Sequence, residues 1–353
     1  MKSPTQYFPF SRGVLALALL LGFAAARGQP APAASAEPAA RPGAPAPSAP
    51  TSTTSTNSAA TADTTPASSL PVIFVCGDST AHNDAKNKQG QQMRGWGTPL
   101  ADYFDNSKVV VNNVAHAGTS SRTYYDGDWP KVLPKIKAGD YVLEVFGIND
   151  GGLRTPNGLG DEVNAQGWHT YGWYMSKMAT DAEAKGAHVV LLTLTVRNVW
   201  TNPLVKFTDA KPIGPLPDNY DPKQDKIVRG DKYAGWTKDV GEKLHIPVLD
   251  LNNLEGDKHE KMGRVTVDAL YSDHNHTFGP GADLLASYIV SGLKAFKNSP
   301  FIPLLSAKGQ AVETADVKYV INNLPTDKPA ESDAKPADTK PADTATTKTT
   351  AAL

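Results

Sequence analysis

Short apolar runs separated by amphipathic stretches fill the middle of the chain. Val72 to Cys76, Val109 to Val114, Tyr141 to Phe146, His188 to Leu194 and Ile246 to Leu249 are apolar at near-consecutive positions and too short for core helices. That pattern predicts strands covered on both faces. Between and after them, Trp168 to Lys185, Lys232 to Leu244 and Gly281 to Phe296 predict helices, with Gly186 as the stop after the first. Alternation of the two kinds predicts a three-layer α/β/α sandwich around a central parallel sheet. From Asn202 to Arg229 the pattern lapses into Pro-, Asp- and Lys-rich sequence, which reads as a long loop near the functional site.

The ends of the 353-residue chain follow other rules. Lys2 and Arg12 precede the apolar run Gly13 to Ala26, which closes on Ala24-Ala25-Ala26, the pattern of a secretory signal over residues 1–26. The run is shorter than the ~20 apolar residues a spanning helix needs, and no cysteine follows it closely to carry a lipid. Export to the periplasm or the medium is the expectation, with no membrane association beyond it. Residues 27–69 are almost wholly Ala, Pro, Ser and Thr, a composition that buries too little apolar surface to offset chain entropy, and they read as a disordered linker. Residues 323–353 repeat Lys-Pro-Ala followed by an acidic residue, and read as a solvated tail. One catalytic domain is left, residues 70–322.

Charge and cysteine content narrow the possibilities. Lys plus Arg number 35 against 36 for Asp plus Glu, so no global charge draws the protein to nucleic acid or to an anionic surface. Cys76 is the single cysteine, which excludes an intramolecular disulfide and leaves stability to the core. Within its apolar run it reads as a small buried strand residue.

The chemistry lies where strands emerge into loops, since ligand sites in α/β sheets sit at such ends. Gly77-Asp78-Ser79-Thr80 directly follows the first apolar run and offers Ser79 as a nucleophile. A serine hydroxyl needs an imidazole to take its proton, and the imidazole needs a carboxylate to fix its tautomer. Asp273 and His276 supply both on one short segment, three residues apart and just before the Gly279-Pro280-Gly281 break. The oxyanion of a tetrahedral intermediate requires donors already in place. The Ser79 N–H, the Gly118 N–H after the second strand and the Asn149 side-chain amide after the third are the candidates. Asp78 and Asp150 read as braces of their own turns. Together these residues make a set suited to cleaving an ester.

On these stretches the chain resembles the SGNH (GDSL-type) hydrolases, and more narrowly their rhamnogalacturonan acetylesterase group, over about Pro71 to Asn298. The matching features are Gly77-Asp78-Ser79-Thr80, Gly95-Trp96-Gly97, Ala117-Gly118-Thr119-Ser120-Ser121-Arg122, the block at Gly147, and Asp273 three residues ahead of His276. One departure is Ile148, where the acetylesterase group often has His. The resemblance implies a flavodoxin-like fold, Ser79, Asp273 and His276 as a triad, Ser79, Gly118 and Asn149 as the oxyanion hole, and no cofactor. Together with the export pattern and the neutral charge, the resemblance fits an extracellular acetylesterase acting on an acetylated plant polysaccharide, pectin first, and a monomer is expected.

Asp273, His274 and His276 could hold zinc, but two of them are adjacent and no second His or Cys pair has ligand-like spacing, so no metal is expected. Asn275-His276-Thr277 is formally a glycosylation acceptor, and is expected unmodified because a glycan would bury the base. Arg197, Trp200 and His274 are candidate substrate contacts, the first two on the loop after the fourth strand. Trp96, Trp168 and Trp173 are further candidates to stack on sugars, with the last two read as core residues of their helix. A lipid esterase or thioesterase of the same fold, or a non-catalytic carbohydrate-binding protein, would be separated by acyl-length preference and by reaction with a serine-directed phosphonate.

Overall fold

The computed structural model describes residues 70–151 and 153–322. The leader, the linker and the tail expected from the sequence lie outside them. The first four strands are β1 (Val72–Gly77), β2 (Val110–Asn113), β3 (Tyr141–Val145) and β4 (His188–Leu192). Two-residue strands follow: β5 (Trp200–Thr201), β6 (Phe207–Thr208), β7 (Lys211–Pro212), β8 (Lys226–Ile227), β9 (Val248–Leu249) and β10 (Val320–Ile321). The helices are α1 (Ser121–Gly127), α2 (Trp129–Val132), α3 (Tyr171–Glu183), α4 (Asp231–Leu244), α5 (Leu251–Met262), α6 (Arg264–Asp268), α7 (Gly279–Ala295) and α8 (Ala307–Gln310).

Six strands form the central sheet in the order β2-β1-β3-β4-β9-β10. All neighbouring pairs are parallel except β9 with β10. The five predicted strands are therefore present and parallel, with an antiparallel edge strand that the apolar pattern did not reveal. Successive side chains of each strand face opposite sides. Ile73, Val75, Leu143, Val190 and Leu192 pack with Leu285, Ile289 and Leu293 of α7. Phe74, Cys76, Val142, Phe146 and Leu191 pack with Tyr124, Tyr171, Met175 and Val240 from α1, α3 and α4. The sheet is thus covered on both faces, in three layers. Cys76 is fully buried in the second layer, and burial pushes its thiol up to about 12, so it stays protonated.

Local chemistry sets the helix ends. α3 begins at Tyr171, three residues later than expected, because the Thr170 side chain accepts the Trp173 N–H and caps it. Trp168 therefore precedes the helix, half-buried with the Arg122 guanidinium 3.9 Å over its ring. α7 starts at Gly279, with Pro280 in its first turn where a missing N–H costs nothing. α5 was not predicted, since its buried face includes Glu255 and His259 among its apolar residues and no clear period survives. The Asn202–Arg229 stretch and the two residues before it fold into two small antiparallel ribbons, β5 with β8 and β6 with β7. Trp200, Ala210 and Ile227 from this region form a satellite core with Val196, Val267 and Tyr271.

Candidate active site

β1 and β3 lie side by side at the centre, and β1 passes β2 on one side and β3 on the other, which places a crevice at their carboxyl ends. Ser79 is two residues beyond β1 in a tight turn. There the Asp78 carboxylate accepts the Thr80 N–H and hydroxyl, both at 2.9 Å, and the Asp78 carbonyl accepts the N–H groups of Ala81 and His82. Burial raises the Asp78 carboxyl to about 6 against the pull of the Thr80 bonds. Asp78 acts as the brace expected of it.

His276 sits on a small hairpin closed by the Tyr271–Thr277 bridge and by the Ser272 N–H donating to the His276 carbonyl at 2.7 Å. Within it Asp273 Oδ1 accepts the N–H groups of Asn275 and His276, while Oδ2 lies 2.8 Å from His276 Nδ1. Partial burial works to raise the Asp273 carboxyl, but the His276 ring and those two amides outweigh it and hold it below its ordinary value. An ionised carboxylate at Nδ1 assigns the proton to that nitrogen and leaves Nε2 as an acceptor. His276 Nε2 is 2.9 Å from Ser79 Oγ. Ser79, His276 and Asp273 thus form one hydrogen-bonded line, with Ser79 7% exposed at its inner end.

The segment Arg94 to Gly97 joins the two halves of that line. The Trp96 and Gly97 N–H groups donate to Thr80 and Ala81 in the nucleophile turn, and the Arg94 N–H donates to the Thr277 carbonyl next to His276. A Cβ on Gly95 would run into the Ala81 backbone, so this close approach requires glycine. Trp96 is fully buried beneath it, which removes it from the candidate sugar platforms.

The candidate oxyanion donors converge on the same end of the sheet. The His116 N–H donates to the Gly77 carbonyl, bringing the Gly118 loop against β1. Gly118 has φ +81°, a backbone conformation that side chains disfavour. Asn149 Nδ2 donates to the Thr119 carbonyl at 3.0 Å, tying the loop after β3 to the loop after β2, and its second amide hydrogen has no acceptor among the described residues. Neither the Ser79 N–H nor the Gly118 N–H has an acceptor among the described residues. Asp150 accepts the Ser121 N–H and hydroxyl and the Gly147 N–H, clamping the Asn149 turn to the start of α1. That is the bracing role its turn chemistry implied.

The three candidate substrate contacts fare differently. Arg197 is exposed, donates from Nη2 to the Ile148 carbonyl at 2.9 Å, and lines a cavity of about 600 Å³ beside the Asn149 turn. His274 is half-exposed in a second, polar hollow of about 460 Å³ with Asn198, Lys211 and Asp273, its Nδ1 3.9 Å from the Asp209 carboxylate. Trp200 is a correction. It is 3% exposed, packed in the satellite core with its indole N–H on Asn198 Oδ1, and presents no face to a sugar. Trp173 is half-buried under a stacked His169 ring. The His116 ring pairs with Asp128 at 2.7 Å.

Sequence reasoning missed the supports behind these loops. Glu255 on α5 is fully buried and accepts both the Val196 N–H and the Tyr271 hydroxyl, joining the Arg197 loop to the base of the His276 hairpin. Burial raises its carboxyl to about 8, against the pull of the Val196 and Tyr271 bonds. Nothing in a polar helix marks such a residue in advance.

A turn carrying a serine after the first strand, an Asn turn after the third and an Asp-x-x-His hairpin before the last long helix define an SGNH-type acylhydrolase. The chain belongs to the GDSL-like lipase/acylhydrolase family, whose model matches residues 75–277, and it is a carboxylic ester hydrolase. It is 25% identical over 237 residues to a rhamnogalacturonan acetylesterase of Emericella nidulans, covering 63% of this chain and 84% of that protein. It is 30% identical over 225 residues to the esterase YxiM of Bacillus subtilis, covering 63% of this chain and about half (51%) of the relative. The crystal structure of the B. subtilis YXIM protein superposes with a TM-score of 0.48 at 26% identity, over 64% of this chain and 56% of that one.

Proposed function

We propose that this protein is an exported esterase that removes acetyl groups from a plant polysaccharide of the pectic type through an acyl-serine intermediate. The observation that supports it is the unbroken line from Ser79 Oγ through His276 to Asp273 at the open end of the sheet. In the first half-reaction His276 Nε2 takes the Ser79 proton as Oγ bonds to the acetyl carbonyl carbon. The oxyanion is met by the Ser79 and Gly118 N–H groups and the free Asn149 amide hydrogen. Collapse breaks the bond to the sugar oxygen, which leaves with the proton held by His276. A water molecule then gives its proton to His276 and attacks the acyl-serine, releasing acetate and restoring Ser79.

The acetyl and pectic parts of this reading draw support from the acetylesterase relative, and export from the apolar leader. Acetate release from acetylated pectin and from a chromogenic acetate ester should vanish in Ser79→Ala, and full activity in that variant would falsify the assignment. Comparing acetyl with octanoyl esters tests the acyl preference, since a lipid esterase would favour the longer chain.

A further inference from the structure

The cavity of about 600 Å³ beside the Asn149 turn is lined by none of Ser79, Asp273 and His276. Ile148, Leu194 and Tyr233 give it apolar walls, while much of its polar lining suits a negative ligand. Arg197 spends one guanidinium nitrogen on the Ile148 carbonyl and has no carboxylate partner among the described residues. Lys232 likewise has none there and rests its ammonium over the Trp236 ring at 4.9 Å. α4 opens at the same wall, fourteen residues long, and Gly230 leaves its first turn without a side-chain cap. Uncapped N–H groups at a helix start attract anions.

An independent observation points to a ligand. Thr195, 2% exposed, lines this cavity, and its hydroxyl has no hydrogen-bond partner among the described residues. A buried hydroxyl without a partner is costly unless something arrives to satisfy it. The other charges here do not compete strongly. Arg229 is engaged by Asp257 and Glu260, Asp150 is engaged by Ser121 and Gly147, and Asp231 is exposed.

We propose that this cavity binds the carboxylate of a sugar acid in the polysaccharide chain. The guanidinium fork of Arg197 matches a carboxylate in shape, Lys232 adds charge, and the apolar walls suit the C–H faces of a pyranose ring. Because Ile148 immediately precedes Asn149, a uronate held there is anchored next to the oxyanion donors. The inference deepens the polysaccharide reading above and rests on it for its role in catalysis.

The test is calorimetric titration of the full chain carrying Ser79→Ala with an unacetylated oligogalacturonide, a neutral oligogalactan of equal length, and sodium acetate. The acidic oligomer should bind, with Kd raised about 10- to 100-fold by Arg197→Ala and by Lys232→Ala. Affinity should fall with added salt, and both the neutral oligomer and acetate should bind at least about tenfold more weakly. Equal affinity for the neutral oligomer, indifference to both substitutions, or acetate binding as tightly as the oligomer overturns the proposal. Lys232 is exposed, so its variant keeps the test decisive if Arg197→Ala fails to fold. An enzyme that binds the acidic oligomer but releases no acetate from acetylated pectin refutes the proposed reaction and leaves this site standing. One that deacetylates pectin yet binds both oligomers alike refutes the site alone.

Discussion

Asn149 does two jobs with one amide. One hydrogen holds the Thr119 carbonyl, which keeps the Gly118 loop in place, and the proposed oxyanion contact falls to the other, which has no acceptor among the described residues. Asn149→Ala should therefore lower kcat by about 10²- to 10³-fold while KM for a small acetate ester changes little. Its cost in stability should stay near 1 kcal/mol, the worth of one hydrogen bond, as read by denaturant unfolding. An unchanged kcat would remove Asn149 from the oxyanion hole. Asp273 differs from a buried triad carboxylate in lying open to solvent, and its ionisation is secured by hydrogen bonds rather than by enclosure.

At the scale of elements, β3 carries an uncompensated group. Glu144 is fully buried between β1 and β4, neither carboxyl oxygen has a hydrogen-bond partner among the described residues, and burial drives its carboxyl well above the ordinary range. It therefore stays protonated in the folded protein, whereas the unfolded chain releases that proton near the ordinary glutamate value of 4.5. With the folded value raised, wild-type stability falls as pH climbs above the unfolded value. Glu144→Met removes both the unpaired carboxyl and this slope. It should stabilise by about 1–3 kcal/mol at neutral pH, with a larger gain at about pH 8 than at about pH 5. Urea unfolding at the two pH values checks it, and a variant less stable at both would show that Glu144 has a partner worth keeping.

For the whole molecule, the far edge of the sheet depends on the last described residues. β10 pairs with β9, the Tyr319 carbonyl accepts the Asp250 N–H at 2.7 Å, and Asn322 Nδ2 donates to Gly241 and Ile246. Asp250 caps α5, which in turn holds Glu255 beneath the site loops. A chain ending at residue 322 should melt like the full chain. One ending at residue 315 should lose about 3 kcal/mol or more, with Tyr319 and the β9 edge exposed. Thermal unfolding of the two separates the outcomes, and equal melting would mean that this edge contributes nothing to stability.

Five strands, three long helices and the four blocks that carry the chemistry were legible in the sequence, because each rests on local facts. Apolar runs report burial, capping residues report helix ends, and Asp273 lies close enough to His276 for the two to meet on one turn. The residues that read wrongly were those whose environment is set by distant chain. Trp200 looked like a rim residue until the Asn202–Arg229 stretch folded back over it. The line between Ser79 and His276 spans 197 positions, and no local pattern can supply a 2.9 Å contact over that separation. Only the parallel crossovers, which bring the ends of β1, β2 and β3 to one side and set the His276 hairpin against them through Arg94 and Trp96, decide that these blocks form a single site.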